Sequence, residues 1–217
     1  MPRLTRKQKQ EHTRSSLLQS AAKVFCRKGM ERASIDEVAE EAGYTKGAFY
    51  ANFKSKQELF LAMLDERFAQ RIRETDEAFS DSESPPEQAR HAAAHFARTQ
   101  HSDPDVTRLF FEFYSQALRD EDFRQELLTR FGSMRKRLAG VYQRRADETG
   151  IDPPLPMDKI ANIVIAMADG WAMWNLLDPE GVDDEALESM YEIFTVGIAA
   201  VAGAFGELEL QPAGTKS

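Results

Sequence analysis

Residues 34–53 read SIDEVAEEAGYTKGAFYANF, and their spacing decides the fold. Ser34-Ile35-Asp36-Glu37 is a capping box. The Ser34 hydroxyl can accept from the third amide of a helix, and the Glu37 carboxylate can reach back to the Ser34 amide. The helix it opens runs to Ala42, with Ile35, Val38 and Ala39 inward. Gly43 supplies a turn, and Thr45 can cap a second short helix whose inward side is Ala48 and Phe49. Two short helices joined through Gly match a helix-turn-helix, whose second helix lies in the major groove of DNA. The outward positions of that second helix are Thr45, Lys46, Gly47 and Tyr50, with Ala51 or Asn52 at its end. Hydroxyls and a helix N-terminus suit phosphate, Lys46 suits guanine acceptors or phosphate, and Gly47 lets the helix approach base edges. The same pattern also fits an amphipathic helix pair inside a bundle.

Working outward, residues 3–14 carry almost nothing apolar and read as a loose basic arm. Leu17, Leu18, Ala21, Ala22, Val24 and Phe25 recur at helical spacing, so roughly residues 8–28 form helix 1, ended at Lys28-Gly29. Ser55-Lys56-Gln57-Glu58 is a second capping box and opens helix 4, which runs to about Phe79. Lys56, in its first turn, is placed to meet the DNA backbone, as is Ser34 at helix 2. Beyond a polar break at residues 80–86, the expected helices are helix 5 from Ser84-Pro85, helix 6 from Asp103-Pro104, helix 7 over about 122–148, helix 8 over about 158–177 and helix 9 over about 184–205. Pro at the first helical position removes no helical hydrogen bond. No alternating strand pattern and no repeat appears. The expected fold is all-α with about nine helices: a three-helix helix-turn-helix DNA-binding domain over 1–56, and a helical ligand-binding and dimerisation domain over 57–217.

Charge divides the same way. The chain has 217 residues and a net charge of −8, but residues 1–56 carry +6 and residues 57–217 carry −14. A basic head on an acidic body is the asymmetry expected when only the head meets phosphate. The lone Cys26 leaves no internal disulfide framework and fits a reducing compartment. The basic start is followed by no apolar segment of signal-peptide type. The longest apolar runs, Ile163–Ala168 and Ile198–Ala202, fall far short of the ~20 residues that span a bilayer. A cytoplasmic protein with no membrane partner is expected.

With these residues in view, residues 13–60 resemble the DNA-binding region of TetR-family transcriptional regulators. The resemblance rests on AAKVFCRKG, SIDEVAEEAG and TKGAFYANFKSKQELF. Members of that family commonly have His at the position of Asn52 and Val at that of Tyr44; Asn52 keeps hydrogen-bonding capacity, and Tyr44 is expected to pack at the turn. The resemblance implies a homodimer on a palindromic operator in double-stranded DNA, usually a repressor, released when a small molecule enters the larger domain. FFEFYSQALRD and ADGWAMWNLLDP are similar to a broad subgroup that includes choline-responsive repressors.

The body supplies matching surfaces. Helix 8 is apolar nearly all round, and helix 9 carries Leu187, Met190, Tyr191, Phe194, Ile198, Val201 and Phe205 on one side with small residues between. Pairing of helices 8 and 9 with their copies would make the four-helix dimer usual in the family; a single buried core is the alternative. A pocket for a hydrophobic or aromatic effector is expected among Phe96, Phe110, Phe113, Tyr114, Phe131, Met134, Met167, Trp171 and Trp174. Glu112 and Asp169 lie within these stretches; either could meet a cationic ligand or pair with an Arg such as Arg108 or Arg135. His91 and His95 share a helix face but have no third convergent ligand, so no metal and no cofactor is assigned.

No phosphate-cradling Gly loop, nucleophile elbow or zinc-binding His-Glu helix is present, so no enzyme activity is expected. The reading is a ligand-responsive DNA-binding regulator. The alternative is an all-α interaction or scaffold protein that no longer reads DNA.

Overall fold

The computed structural model describes residues 5–80, 84–102 and 104–209, without side-chain detail at 80 and 203–209. Nine helices and no strand occur among the described residues: α1 (Arg6–Arg32), α2 (Ile35–Glu41), α3 (Lys46–Tyr50), α4 (Lys56–Ser80), α5 (Pro85–Ser102), α6 (Pro104–Ala117), α7 (Glu121–Thr149), α8 (Met157–Leu177) and α9 (Asp184–Glu209). The chain forms two compact units. One is Met1–Phe68 with Asp103–Arg130; the other is Ala69–Ser102 with Phe131–Ser217.

Unit boundaries therefore differ from the 56/57 split expected from sequence. The reason is packing. In the first unit α6 lies against α1, and Phe60 of α4 stacks on Phe113 and touches Phe110 and Phe123. Such aromatic clusters bind segments that composition would assign elsewhere. The loose arm is also corrected: Thr5 caps α1, with the Gln8 amide donating to its Oγ1 at 3.3 Å and the Thr5 amide donating to Gln8 Oε1 at 2.9 Å. Residues 6–14 are thus helical and polar rather than loose. Helix 1 does break at Gly29, which takes φ 71°, a left-handed conformation Gly adopts without penalty.

In the second unit α5 packs along α9, and α8 contacts both. Ile160, Ala161, Val164, Ala168, Trp171 and Ala172 of α8 are buried. Contrary to the reading from short apolar runs, α8 is long and apolar enough to cross a membrane by length and composition alone. Its buried stripe spends that apolar content on the core of this unit. Trp174 and Leu177 of the same helix are 54% and 70% exposed, and Ile193 of α9 is 71% exposed. The α8–α9 turn is tied by Trp171 Nε1, which donates to Asp183 O at 2.7 Å, and by Asn175 Nδ2, which donates to Val182 O at 2.8 Å.

Candidate nucleic-acid interface

Both helices of the helix-turn-helix are built as their sequence implies. The Glu37 amide donates to Ser34 Oγ at 3.2 Å, and the Ser34 amide donates to Glu37 Oε2 at 2.9 Å. Lys28 of α1 donates to the other Glu37 oxygen. The Lys28 ammonium, then the Ser34 amide, hold the Glu37 carboxyl down to about 2. At the other end of α2, the Gly43 amide donates to Glu40 O at 2.9 Å and the Tyr44 amide to Ala39 O at 2.8 Å. That is a Schellman motif, with Gly43 at φ 73° in the left-handed position. It turns the chain into Thr45, whose Oγ1 accepts from the Ala48 amide at 3.2 Å and starts α3.

One side of α3 is anchored. Phe49 and Phe53 are fully buried, and Arg14 of α1 lies 4.3 Å over the Phe53 ring while its Nη1 donates to Asn52 O at 3.2 Å. Burying a Phe side chain contributes roughly 1.5–3 kcal/mol, so this side does not turn outward. The opposite side exposes Thr45, Lys46, Gly47 and Tyr50, four of the expected DNA-facing residues. Tyr50 is 51% exposed, its ring set edge-on to Phe49 at 5.5 Å. Nothing lies near where a Gly47 Cβ would stand except Thr45 Oγ1 at 3.7 Å, so the space beyond Gly47 is open.

Three expected contacts look different in place. Lys46 Nζ donates to Asp36 Oδ2 at 2.8 Å, which raises the Lys46 pKa; the pair is exposed, so it yields easily to a stronger anion. Asn52 is half-buried and turned inward, Nδ2 donating to Ala48 O at 2.8 Å, with no partner for its buried Oδ1. A short side chain one turn past Ala48 reaches the helix's own carbonyl, which is the physical reason it leaves the outward face. Lys56 differs most from the expected placement. Its ammonium donates to Met30 O at 2.9 Å, Glu31 O at 3.2 Å and Ala33 O at 2.6 Å. Those carbonyls end α1 and need a donor, and the Lys56 cation supplies it. Lys54, which sequence reasoning passed over, is exposed beside α3 and has no carboxylate partner for its ammonium among the described residues. Its signal was available: a cation in the four-residue gap between α3 and the Ser55 cap.

The second capping box forms by half. The Glu58 amide donates to Ser55 Oγ at 3.0 Å, but Glu58 Oε2 accepts from the Lys54 amide at 2.7 Å instead of from Ser55.

The residues expected to line one pocket are divided. Phe110, Glu112, Phe113 and Tyr114 belong to the first unit, and Phe96, Phe131, Met134, Met167, Asp169, Trp171 and Trp174 to the second. Phe110 and Phe113 fill the aromatic core of the first unit, Glu112 is exposed, Trp171 is a buried anchor against Phe96, and Trp174 faces outward. Asp169 is paired at 3.4 Å with Arg71, neither Arg108 nor Arg135. Burial pushes its carboxyl up, opposed by the Arg71 guanidinium. The second unit does hold an apolar cleft of about 130 Å³, but between Phe79, Tyr142, Ile160, Tyr191, Phe194 and Ile198, and none of the eleven expected residues lines it. Aromatic and Met content marks cores as readily as pockets; of the expected residues, Glu112 and Phe113 line a separate recess of the first unit and Phe96 a small one of the second.

Comparison with known proteins agrees with this architecture. Residues 17–63 match the profile of bacterial regulatory proteins of the TetR family, and residues 85–200 match the C-terminal profile of BetI-type transcriptional repressors. The HTH-type transcriptional regulator YfiR of Bacillus subtilis is 26% identical over 179 residues, 78% of this chain and 82% of that protein. TtgR of Pseudomonas putida is 40% identical over 65 residues, 30% of each chain. Among solved structures, a TetR-family regulator from Rhodococcus sp. superposes with TM-score 0.71 at 18% identity, over 87% of this chain and 99% of that one. FadR from Bacillus subtilis, in complex with stearoyl-CoA, gives TM-score 0.65 at 18% identity, over 85% and 98%. Head and body are matched separately and in order: this chain belongs to the TetR family of bacterial transcriptional regulators, with a C-terminal part of the BetI type.

Proposed function

We propose that two copies of this regulator, paired through α8 and α9, place α3 of each head in successive major grooves of a palindromic operator, and that an apolar small molecule in the cleft of the second unit releases them. Residues 1–56 read DNA; residues 57–217 bind the effector and dimerise. The observation that carries the DNA reading is the face of α3: Thr45, Lys46, Gly47 and Tyr50 are exposed over a fully buried Phe49. Ser34 and Lys54 flank it as backbone contacts. Dimerisation is supported by the exposed Trp174, Leu177, Ile193 and Val196, with Gly197, Ala199 and Ala200 exposed beside them. Large apolar residues clustered in the open mark an interaction surface, and a half-site reader needs a partner to hold the second half-site about 34–36 Å away. The FadR structure of the same fold is in complex with stearoyl-CoA, a molecule with a long apolar chain. The regulator acts in the cytoplasm, and the DNA beside its own coding region is the place to seek a palindromic operator.

Fluorescence anisotropy on fragments of that DNA tests the reading. Binding to a palindrome should weaken with salt at a slope of about −0.9 per phosphate neutralised. Equal affinity for the palindrome and for scrambled DNA at all salt concentrations would overturn it.

A further inference from the structure

The cleft of the second unit carries a chemical signature of its own. Among the described residues its walls are mostly apolar, Arg145 is the one charged residue that lines it, and no carboxylate does. Arg145 is held in place. Gln88, only 1% exposed, donates from Nε2 to Phe79 O at 3.0 Å and accepts at Oε1 from Arg145 Nε at 2.6 Å. A buried amide with both ends engaged fixes the plane of the guanidinium it holds. Arg145 Nη1 donates to Glu148 Oε2 at 3.0 Å, but Glu148 is well exposed and solvent screens that pair. Arg145 Nη2 has no protein acceptor among the described residues. Tyr142, three residues earlier on α7, lines the same cleft. Burial pushes its phenol up, and the cation that acts on that phenol is Arg71.

We propose that this cleft takes an amphipathic anion, an acyl or aryl carboxylate. Its apolar body lies against Phe79, Ile160, Phe194 and Ile198, and its carboxylate takes Arg145 Nη2. The inference rests on the effector reading above and narrows it. A quaternary ammonium, the ligand class suggested by similarity to choline-responsive repressors, would find aromatic rings here but also a fixed like charge and, among the described residues, no counter-charge. Asp169, the carboxylate expected to meet such a cation, is instead paired with Arg71. Gln88 is a positioning residue: it touches Arg145, not the ligand.

Isothermal titration of the full chain without DNA, using octanoate, 1-octanol and octyltrimethylammonium, tests the class. Octanoate should bind at least about tenfold more tightly than the ammonium, as a charge-assisted hydrogen bond to a fixed guanidinium implies. Arg145→Gln should lose about tenfold for octanoate and leave octanol within about threefold; Arg145→Lys should recover part of the loss. Gln88→Leu should weaken octanoate and spare octanol, a split that general loss of the cleft would not produce. The proposal is overturned if the ammonium binds as well as octanoate, if Arg145→Gln leaves octanoate unchanged, or if none of the three binds. Octanoate that binds through Arg145 without releasing operator DNA would uphold the ligand class and count against the effector reading alone.

Discussion

Lys56 and Tyr50 separate two roles that look alike in sequence. Both are polar residues near the recognition helix, yet Lys56 closes three carbonyls at the end of α1 and Tyr50 stands half in solvent. Replacing Lys56 with Met should cost about 1–3 kcal/mol, because those carbonyls lose their donor, and lower Tm by roughly 2–10 °C. Tyr50→Phe should leave Tm unchanged and weaken operator binding by about tenfold, through loss of one hydroxyl contact to phosphate. Thermal denaturation and anisotropy on the two variants give opposite patterns if these roles hold. Glu37 offers a pH test. Its carboxyl is held at about 2, below the usual 4.5, so the ionised form is the one the fold prefers. Its contribution is fully present above about 4.5 and is lost as pH falls through about 2. An NMR titration of the Glu37 carboxyl should show a midpoint near 2 at low salt, moving toward the ordinary value in 1 M salt. A low-salt midpoint at the ordinary value would show that Lys28 and Ser34 do not hold it in solution.

At the scale of the element, the angle between α2 and α3 is set by one residue. Gly43 has φ 73°, and nothing lies within 4 Å of where its Cβ would be. The cost of Gly43→Ala is therefore backbone strain without a clash, about 1–2 kcal/mol. Tm should fall by roughly 2–8 °C, and operator affinity should fall further than stability alone explains, because α3 is re-aimed. Binding unchanged at a temperature where the variant is fully folded would show that α3 keeps its direction without the Schellman turn. The two capping boxes make a contrast at this scale. Both have the same Ser-x-x-Glu spacing, but Glu58 accepts from the Lys54 amide. The chain approaches α4 from a tight turn after α3, which presents that amide as the nearer donor. Local spacing names the cap; the incoming chain decides which amide is served.

For the whole molecule, the decisive feature is an apolar surface left open. Trp174 and Ile193 are 54% and 71% exposed on neighbouring helices of one unit. A charge there costs an isolated chain little but would be buried in a paired one. Trp174→Glu with Ile193→Glu should give a monomer by light scattering, with its helical circular dichroism intact. Operator affinity should fall by roughly a hundredfold or more, since the second head no longer binds at high effective concentration. A dimer that survives both changes would move the pairing surface away from α8 and α9.

The sequence by itself determined the all-α class, the caps at Ser34, Thr45 and Ser55, the Gly43 turn and the outward face Thr45, Lys46, Gly47 and Tyr50. These depend on neighbours three or four residues apart, so spacing is enough. Only the tertiary structure decided that Lys56 looks back at α1, that α6 belongs with the head, and that Asp169 answers Arg71. It also decided the place of the cleft. Phe79, Gln88, Tyr142, Arg145 and Phe194 come from four helices scattered over more than half the chain. No local period records which of them meet. Richness in aromatics was legible along the chain; the void between them, and the Arg145 guanidinium facing it, arise only when those helices pack.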